Sequence, residues 1–238
     1  MDRVTRIHLA AVSLCAALFA GACGSTSGPT PTPTHTPTAR PSPTPTPAPD
    51  NLSVAVTATG VGAWQLVAVP VAVLHNAATR HGAKGVVVHF TTHAANGAPQ
   101  HSLNSVAVNL PPSATVAVTA DCTDVCNDAA STTVTVDVAS WVETSGIGFT
   151  FSGAGYACSA GCGGRQSGEA TGTITAVGTV ASGVPVALFA QCLNAAGGII
   201  GGGAGQLSWP GGASSPVSVS VIVNRAPASC TVSGSTGW

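Results

Sequence analysis

From Leu52 onward, β-branched residues recur at every second position and turn residues interrupt them about every ten, and this period restricts the chain to sheets. Val67, Val69, Val71 and Val73 alternate, as do Val86, Val88, Phe90 and Thr92, Val116 and Val118, and Val134, Val136 and Val138. Side chains two apart on a strand point to one face, so each set marks the buried side of a strand. Turns are expected at Asn96-Gly97 and Pro111-Pro112. Beyond the first 23 residues no window places apolar side chains three and four apart, as a helix requires. Charged residues make up 6% of the chain, and its 29 glycines further disfavour helix. The expected fold class is all-β, built as β-sandwiches.

The second half repeats the plan about 100 residues later. Phe90 answers to Phe189, Asn96-Gly97 to Gly197-Gly198, Leu110-Pro111 to Trp209-Pro210, and Val118 to Val217. One immunoglobulin-like sandwich needs about 100 residues, so two tandem copies account for period and length together. The expected divisions are a first sandwich over 51–142 and a second over 143–238, joined near Trp141 to Gly146.

Residues 1–22 read as a signal peptide: Arg3 and Arg6 precede an apolar run from Ile7 to Ala22, too short for a permanent span. The stretch Leu18-Phe19-Ala20-Gly21-Ala22-Cys23 resembles the lipobox of bacterial lipoproteins. That resemblance implies acylation of Cys23 and a lipid anchor at the outer face of the cell membrane. Residues 23–50 form a linker with nine prolines and seven threonines between 29 and 49. Polyproline II at about 3.1 Å per residue makes this an extended stalk. Such Thr-Pro stretches resemble the stalks of actinobacterial surface proteins, where sugars on Thr are common.

Beyond the stalk, the strand Val69 to His75 ending at Asn76, the strand Val86 to His93 running into Asn96-Gly97, and Leu110-Pro111 before Val116 and Val118 resemble extracellular immunoglobulin-like modules of the FxLYD type. In the second half the corresponding residues are Val186 to Cys192, Gly197 to Ile200, and Trp209-Pro210. The resemblance implies a surface lipoprotein with tandem modules, although the F-x-L-Y-D string itself does not occur.

Six cysteines remain after Cys15 and Cys23: Cys122, Cys126, Cys158, Cys162, Cys192 and Cys230. An even count in an exported chain favours disulfides, and the expected pairs are Cys122 with Cys126, Cys158 with Cys162, and Cys192 with Cys230. Cys192 shares a strand face with Val186, Leu188 and Ala190, and Cys230 with Val232, which directs both into a core. The rival reading takes the two C-x3-C pairs as a four-thiolate zinc site.

Five of the seven histidines, His75, His81, His89, His93 and His101, fall within 27 residues. His89 and His93 share a strand face and are the candidate metal ligands, with His101 and His75 as possible helpers from other strands. Residues four apart on a strand lie about 13 Å apart, so solvated polarity is the favoured account. Asp121, Asp124, Asn127 and Asp128 gather oxygens without matching a calcium loop. The run Gly197 to Gly205 lacks the helix and lysine of a phosphate cradle and reads as a flexible hairpin leading to Gln206, Leu207 and Trp209. Trp64, Trp141, Trp209 and Trp238 are the aromatics that would stack on sugars if exposed.

Seven Lys plus Arg against eight Asp plus Glu, with Lys84 the only lysine, exclude a nucleic-acid surface. No hydrolase, zinc-protease or nucleotide motif occurs, and Glu143 and Glu169, the only glutamates, lie in no recognisable catalytic setting. The expectation is therefore a non-catalytic, lipid-anchored binding, adhesion or structural module of the cell envelope, without a cofactor, meeting an envelope protein or polysaccharide. The competing readings are a carbohydrate-binding module acting through exposed Trp and an extracytoplasmic metal-binding protein using the first-half histidines.

Overall fold

The sandwich of the first half is built from seven strands in a computed structural model that describes residues 49–123, 126 and 128–237. They are β1 (Val54–Trp64), β2 (Val67–Asn76), β3 (His81–His93), β4 (Pro99–Asn104), β5 (Val108–Leu110), β6 (Thr115–Thr119) and β7 (Ser131–Glu143). One sheet runs β1-β2-β6; in the other, β3 pairs with β4 and β5 on one edge and with β7 on the other. Phe90, Val86 and Val88 of β3, Leu74 of β2, Val118 of β6 and Leu110 of β5 fill the space between them. The signal peptide, Cys23 and the stalk up to residue 48 lie outside the described residues, as do Asp124, Asn127 and Trp238.

The second half adds β8 (Gly148–Ala160), β9 (Gln166–Val177), β10 (Pro185–Leu193), β11 (Ile199–Ser208), β12 (Ser214–Val223) and β13 (Ser229–Thr236). Its pairings β8-β9-β12 and β11-β10-β13 repeat β1-β2-β6 and β4-β3-β7. The hairpin at Ala94 to Ala98 also recurs 100 residues on at Asn194 to Gly198. Gly97 and Gly197 take φ of 83° and 80°, the left-handed conformation that such a turn needs. A short pairing of Gly201 and Gly202 with Val223 and Ile222 links the two groups of strands into one six-stranded sheet. Inside it lie Val186, Leu188, Ala190, Val219, Val221, Ile174 and Trp209.

The two halves share a packed seam, and the described residues form one compact unit. β2 is buried on both faces from Ala68 to Leu74, so its alternation is one of size rather than of exposure. Val71 faces β11, where a Cβ added to Gly202 would stand 2.9 Å from Val71 Cγ2. By alternation Ala72 faces β3, and both join the first core together with Phe189 of β10. The run Gly197 to Gly205 is thus no flexible hairpin: Ile199–Ser208 is a strand, and its glycines admit the neighbouring backbone. A Cβ on Gly62 of β1 would likewise lie 2.8 Å from Gly201 Cα.

Polar side chains seal the rim of this seam. Asn224 Nδ2 donates to Val61 O at 2.8 Å while its Oδ1 accepts from Ala63 N at 3.0 Å. Ser233 Oγ accepts from Ala117 N at 3.0 Å, and Ser235 Oγ accepts from Asn109 N at 2.9 Å.

The six cysteines stand as three disulfide pairs: Cys122–Cys126, Cys158–Cys162 and Cys192–Cys230. Cys192 and Cys230 are directly opposed across β10 and β13, with Cα atoms 4.1 Å apart and both side chains inside the second core. On the chain-entropy model, closing that 38-residue separation stabilises by about 4 kcal/mol, against about 2 kcal/mol for each separation of four.

Gly202→Val is expected to lower stability by more than about 3 kcal/mol, because its Cβ would collide with the backbone Ala190 O of β10 as well as stand 2.9 Å from Val71 Cγ2. Gly197→Ala, in a turn with open space around it, is expected to cost only the left-handed φ, about 1 kcal/mol. Urea denaturation of both variants checks the order.

Candidate functional site

Strand parity divides the first-half histidines. His89, Thr91 and His93 lie on the outward face of β3, opposite Asn104 and Ser102 of β4 and Thr135, Thr133 and Ser131 of β7. Phe90 and Thr92, one residue out of phase, are buried. Hydroxyls, imidazoles and amides therefore tile one flat face across three neighbouring strands, with Asp137 at its margin.

Each histidine on that face already has partners. His89 donates from Nδ1 to Asn104 Oδ1 at 2.7 Å and from Nε2 to Asp137 Oδ2 at 2.9 Å. Only the imidazolium donates from both nitrogens, so the Asn104 oxygen first and the Asp137 carboxylate second raise the His89 pKa above 6.5. His93 donates from Nδ1 to Gly97 O at 3.3 Å and meets Thr133 Oγ1 through Nε2 at 3.0 Å. The structure does not bring His89 and His93 to a common ion: among the described residues, no cluster of three candidate ligands contains either. His75 pairs with Thr115 Oγ1 at 3.1 Å on another sheet and is no helper to them.

His101 takes a different course. It lies on β4 beside the register shift between Thr91 and His93, out of phase with the exposed Ser102 and Asn104 and on the same half-buried face as Leu103. Its ring comes within 4.8 Å of the sulfurs of Cys122 and Cys126. The four-thiolate zinc alternative does not form, since its two C-x3-C pairs are each closed on themselves.

Three carboxylates away from that face hold structure. Asp50, at the end of the linker, accepts from the backbone of Thr79, Arg80 and His81 at 2.7–3.1 Å and from His81 Nδ1 at 2.7 Å. The Thr79 amide and the His81 ring are the main reasons its carboxyl sits well below the ordinary value of 3.8. Glu169 accepts from Ser218 Oγ and Ser220 Oγ at 2.6 and 2.7 Å, which lowers its pKa too. Asp128 accepts from Gln100 Nε2 at 2.6 Å. Burial raises the Asp121 carboxyl.

Trp209 is 1% exposed, packed on Phe149 at a ring distance of 5.5 Å, and its Nε1 donates to Gly212 O at 3.2 Å. It cannot stack on a sugar. Trp64 and Trp141 are half-buried. A second polar face covers β8, β9 and β12, where Thr150, Thr175 and Ser214 form one cross-strand row and Ser152, Thr173 and Pro216 the next.

No family model matches the chain, and no curated protein matches it in sequence. Among solved structures, a β-glucuronidase from glycoside hydrolase family 2 is similar over 72% of this chain and 23% of that one, at 9% identity and a TM-score of 0.26. The chain spans about a quarter of that enzyme's length.

His89 is expected to titrate above pH 6.5 by NMR, with Asn104→Ala and Asp137→Asn each moving it down. A raised folded pKa gives stabilisation that is complete below the ordinary histidine value and is lost as pH rises through the raised one. The reverse sign holds for Asp50. Its contribution is complete above about pH 4 and is lost as pH falls toward its lowered value, so the stability gap between wild type and Asp50→Asn narrows on acidification. Urea denaturation from pH 7 to pH 3 measures that gap.

Proposed function

We propose that this is a non-catalytic display or adhesion module of the bacterial cell envelope, carried on the Pro/Thr-rich stalk and held at the membrane by acylated Cys23. The observation that carries the reading is the outward face of β3, β4 and β7. It presents His89, Thr91, His93, Ser102, Asn104 and Thr133 on a rigid sheet with few charges. Such a face suits an uncharged hydrogen-bonding partner, an envelope polysaccharide or protein, better than it suits a phosphate-bearing one.

The recurrence of the β1-β2-β6 and β4-β3-β7 pairings in the second half supports two tandem immunoglobulin-like modules. The disulfide pairs support an oxidising, extracytoplasmic setting. The structural use of Asp50 and Glu169 supports a binding rather than a catalytic role. The sugar-binding alternative loses Trp209, its best-placed aromatic, to the core.

The test immobilises the oxidised mature protein and identifies what it retains from the native host's envelope extract. Thr91→Lys with Thr133→Lys is expected to reduce retention more than about tenfold while the melting temperature holds. Thr171→Lys, on the second polar face, is expected to leave retention unchanged. Equal retention by the β3/β7 variant, or by reduced and alkylated protein, overturns the reading.

A further inference from the structure

We propose that His101, Cys122 and Cys126 form a binding site for Cu(I), closed while the cysteines are a disulfide and opened by their reduction. The proposal goes beyond the display role and rests on a separate region of the first half.

The three side chains already converge. Their ligand atoms lie within 4.8 Å of one another, and they are the cluster of three such groups found among the described residues. The cysteines are held by their backbones as well as by the sulfur bond. Cys122 exchanges two hydrogen bonds with Ala68, both 2.9 Å, and Cys126 N donates to Leu66 O at 3.3 Å. Reduction therefore leaves both thiols against the β1–β2 hairpin, still facing His101. The short separation of four residues also means that the fold depends on this disulfide much less than on Cys192–Cys230.

The surroundings select the ion. Cys126 is fully buried and Cys122 is 7% exposed, among Val61, Ala63, Ala68 and Ala129. Two thiolates and one imidazole in an apolar cluster are soft donors of the kind that favour Cu(I), which accepts three ligands. Structural zinc takes a fourth ligand, and no carboxylate, cysteine or further histidine joins this set among the described residues. Cys158–Cys162 provides an internal contrast: it has the same spacing, but Cys162 is exposed and no such histidine cluster surrounds it.

The redox step balances with a dithiol donor. Two electrons and two protons pass from the donor, whose thiols become its disulfide, to Cys122 and Cys126, whose sulfur bond breaks to give two thiols. Binding one Cu(I) then releases one proton from each thiol, and His101 supplies a ring-nitrogen lone pair. Passage of two electrons from the thiolates to a disulfide acceptor, which takes up two protons and becomes a dithiol, re-forms the sulfur bond and expels the ion.

The test uses the full chain carrying Cys15→Ser, Cys23→Ser, Cys158→Ser and Cys162→Ser, reduced without oxygen and titrated with the coloured Cu(I)–bicinchoninate complex. The reduced protein is expected to withdraw one Cu(I) per chain and the oxidised protein none. Adding His101→Ala is expected to weaken uptake more than about tenfold. X-ray absorption of the loaded protein is expected to show one imidazole nitrogen beside two sulfurs, a readout that needs no change at His101. Absence of uptake after reduction, sulfur-only coordination, uptake that survives Cys122→Ser with Cys126→Ser, or retention of Zn(II) in preference to Cu(I) would each overturn the proposal.

Discussion

The approach of β11 to β1 and β2 is the constraint on which the architecture depends. Where Gly60 and Gly62 meet Ile199 and Gly201, and Val71 meets Gly202, two backbones come closer than side chains normally allow. That approach turns β2 into an inner layer, buried on one side by the β3 sheet and on the other by the second half. A chain whose apolar residues are mostly Val and Ala has small units of burial to work with, and stacking three layers raises the share of them removed from water. Asn224, Ser233 and Ser235 then satisfy backbone groups at the rim that would otherwise be buried without partners.

The same economy of side chains shapes the surface. Ser and Thr occupy outward positions where other sheet proteins place Lys and Glu, so the two open sheet faces hydrogen-bond without carrying a strong field. Several of the few carboxylates are committed locally: Asp50 to the Thr79–His81 backbone, Glu169 to two serines, Asp137 to His89. What remains on those faces is shape and hydrogen bonding along the strands.

The histidines and cysteines show how tertiary pairing redistributes residues that look alike in the chain. Five histidines within 27 residues suggest one cluster, yet His75, His81, His89 and His93 each meet different partners. His101 instead comes within 4.8 Å of the sulfurs of Cys122 and Cys126. The two C-x3-C pairs are equally indistinguishable by spacing. One is buried beside His101 and the other reaches an exposed turn.

The sequence by itself determined the strands, because a period of two is a local property of the chain. It determined the recurrence after about 100 residues, and the Cys192 and Cys230 parities that aim both sulfurs into one core. It also confined the candidate ligands to a short list, through their residue types. Only the tertiary structure decided that Val71 and Ala72 are both buried, that the glycines after Gly198 pack as a strand, and that Trp209 lies inside. Each of these depends on what lies across the seam, and periodicity reports which side chains share a face without reporting what covers it. The meeting of His101 with Cys122 and Cys126 was hidden for the same reason: the cysteine loop pairs with the β1–β2 hairpin and the strand of His101 with β3, and the two come together only where the sheets pack.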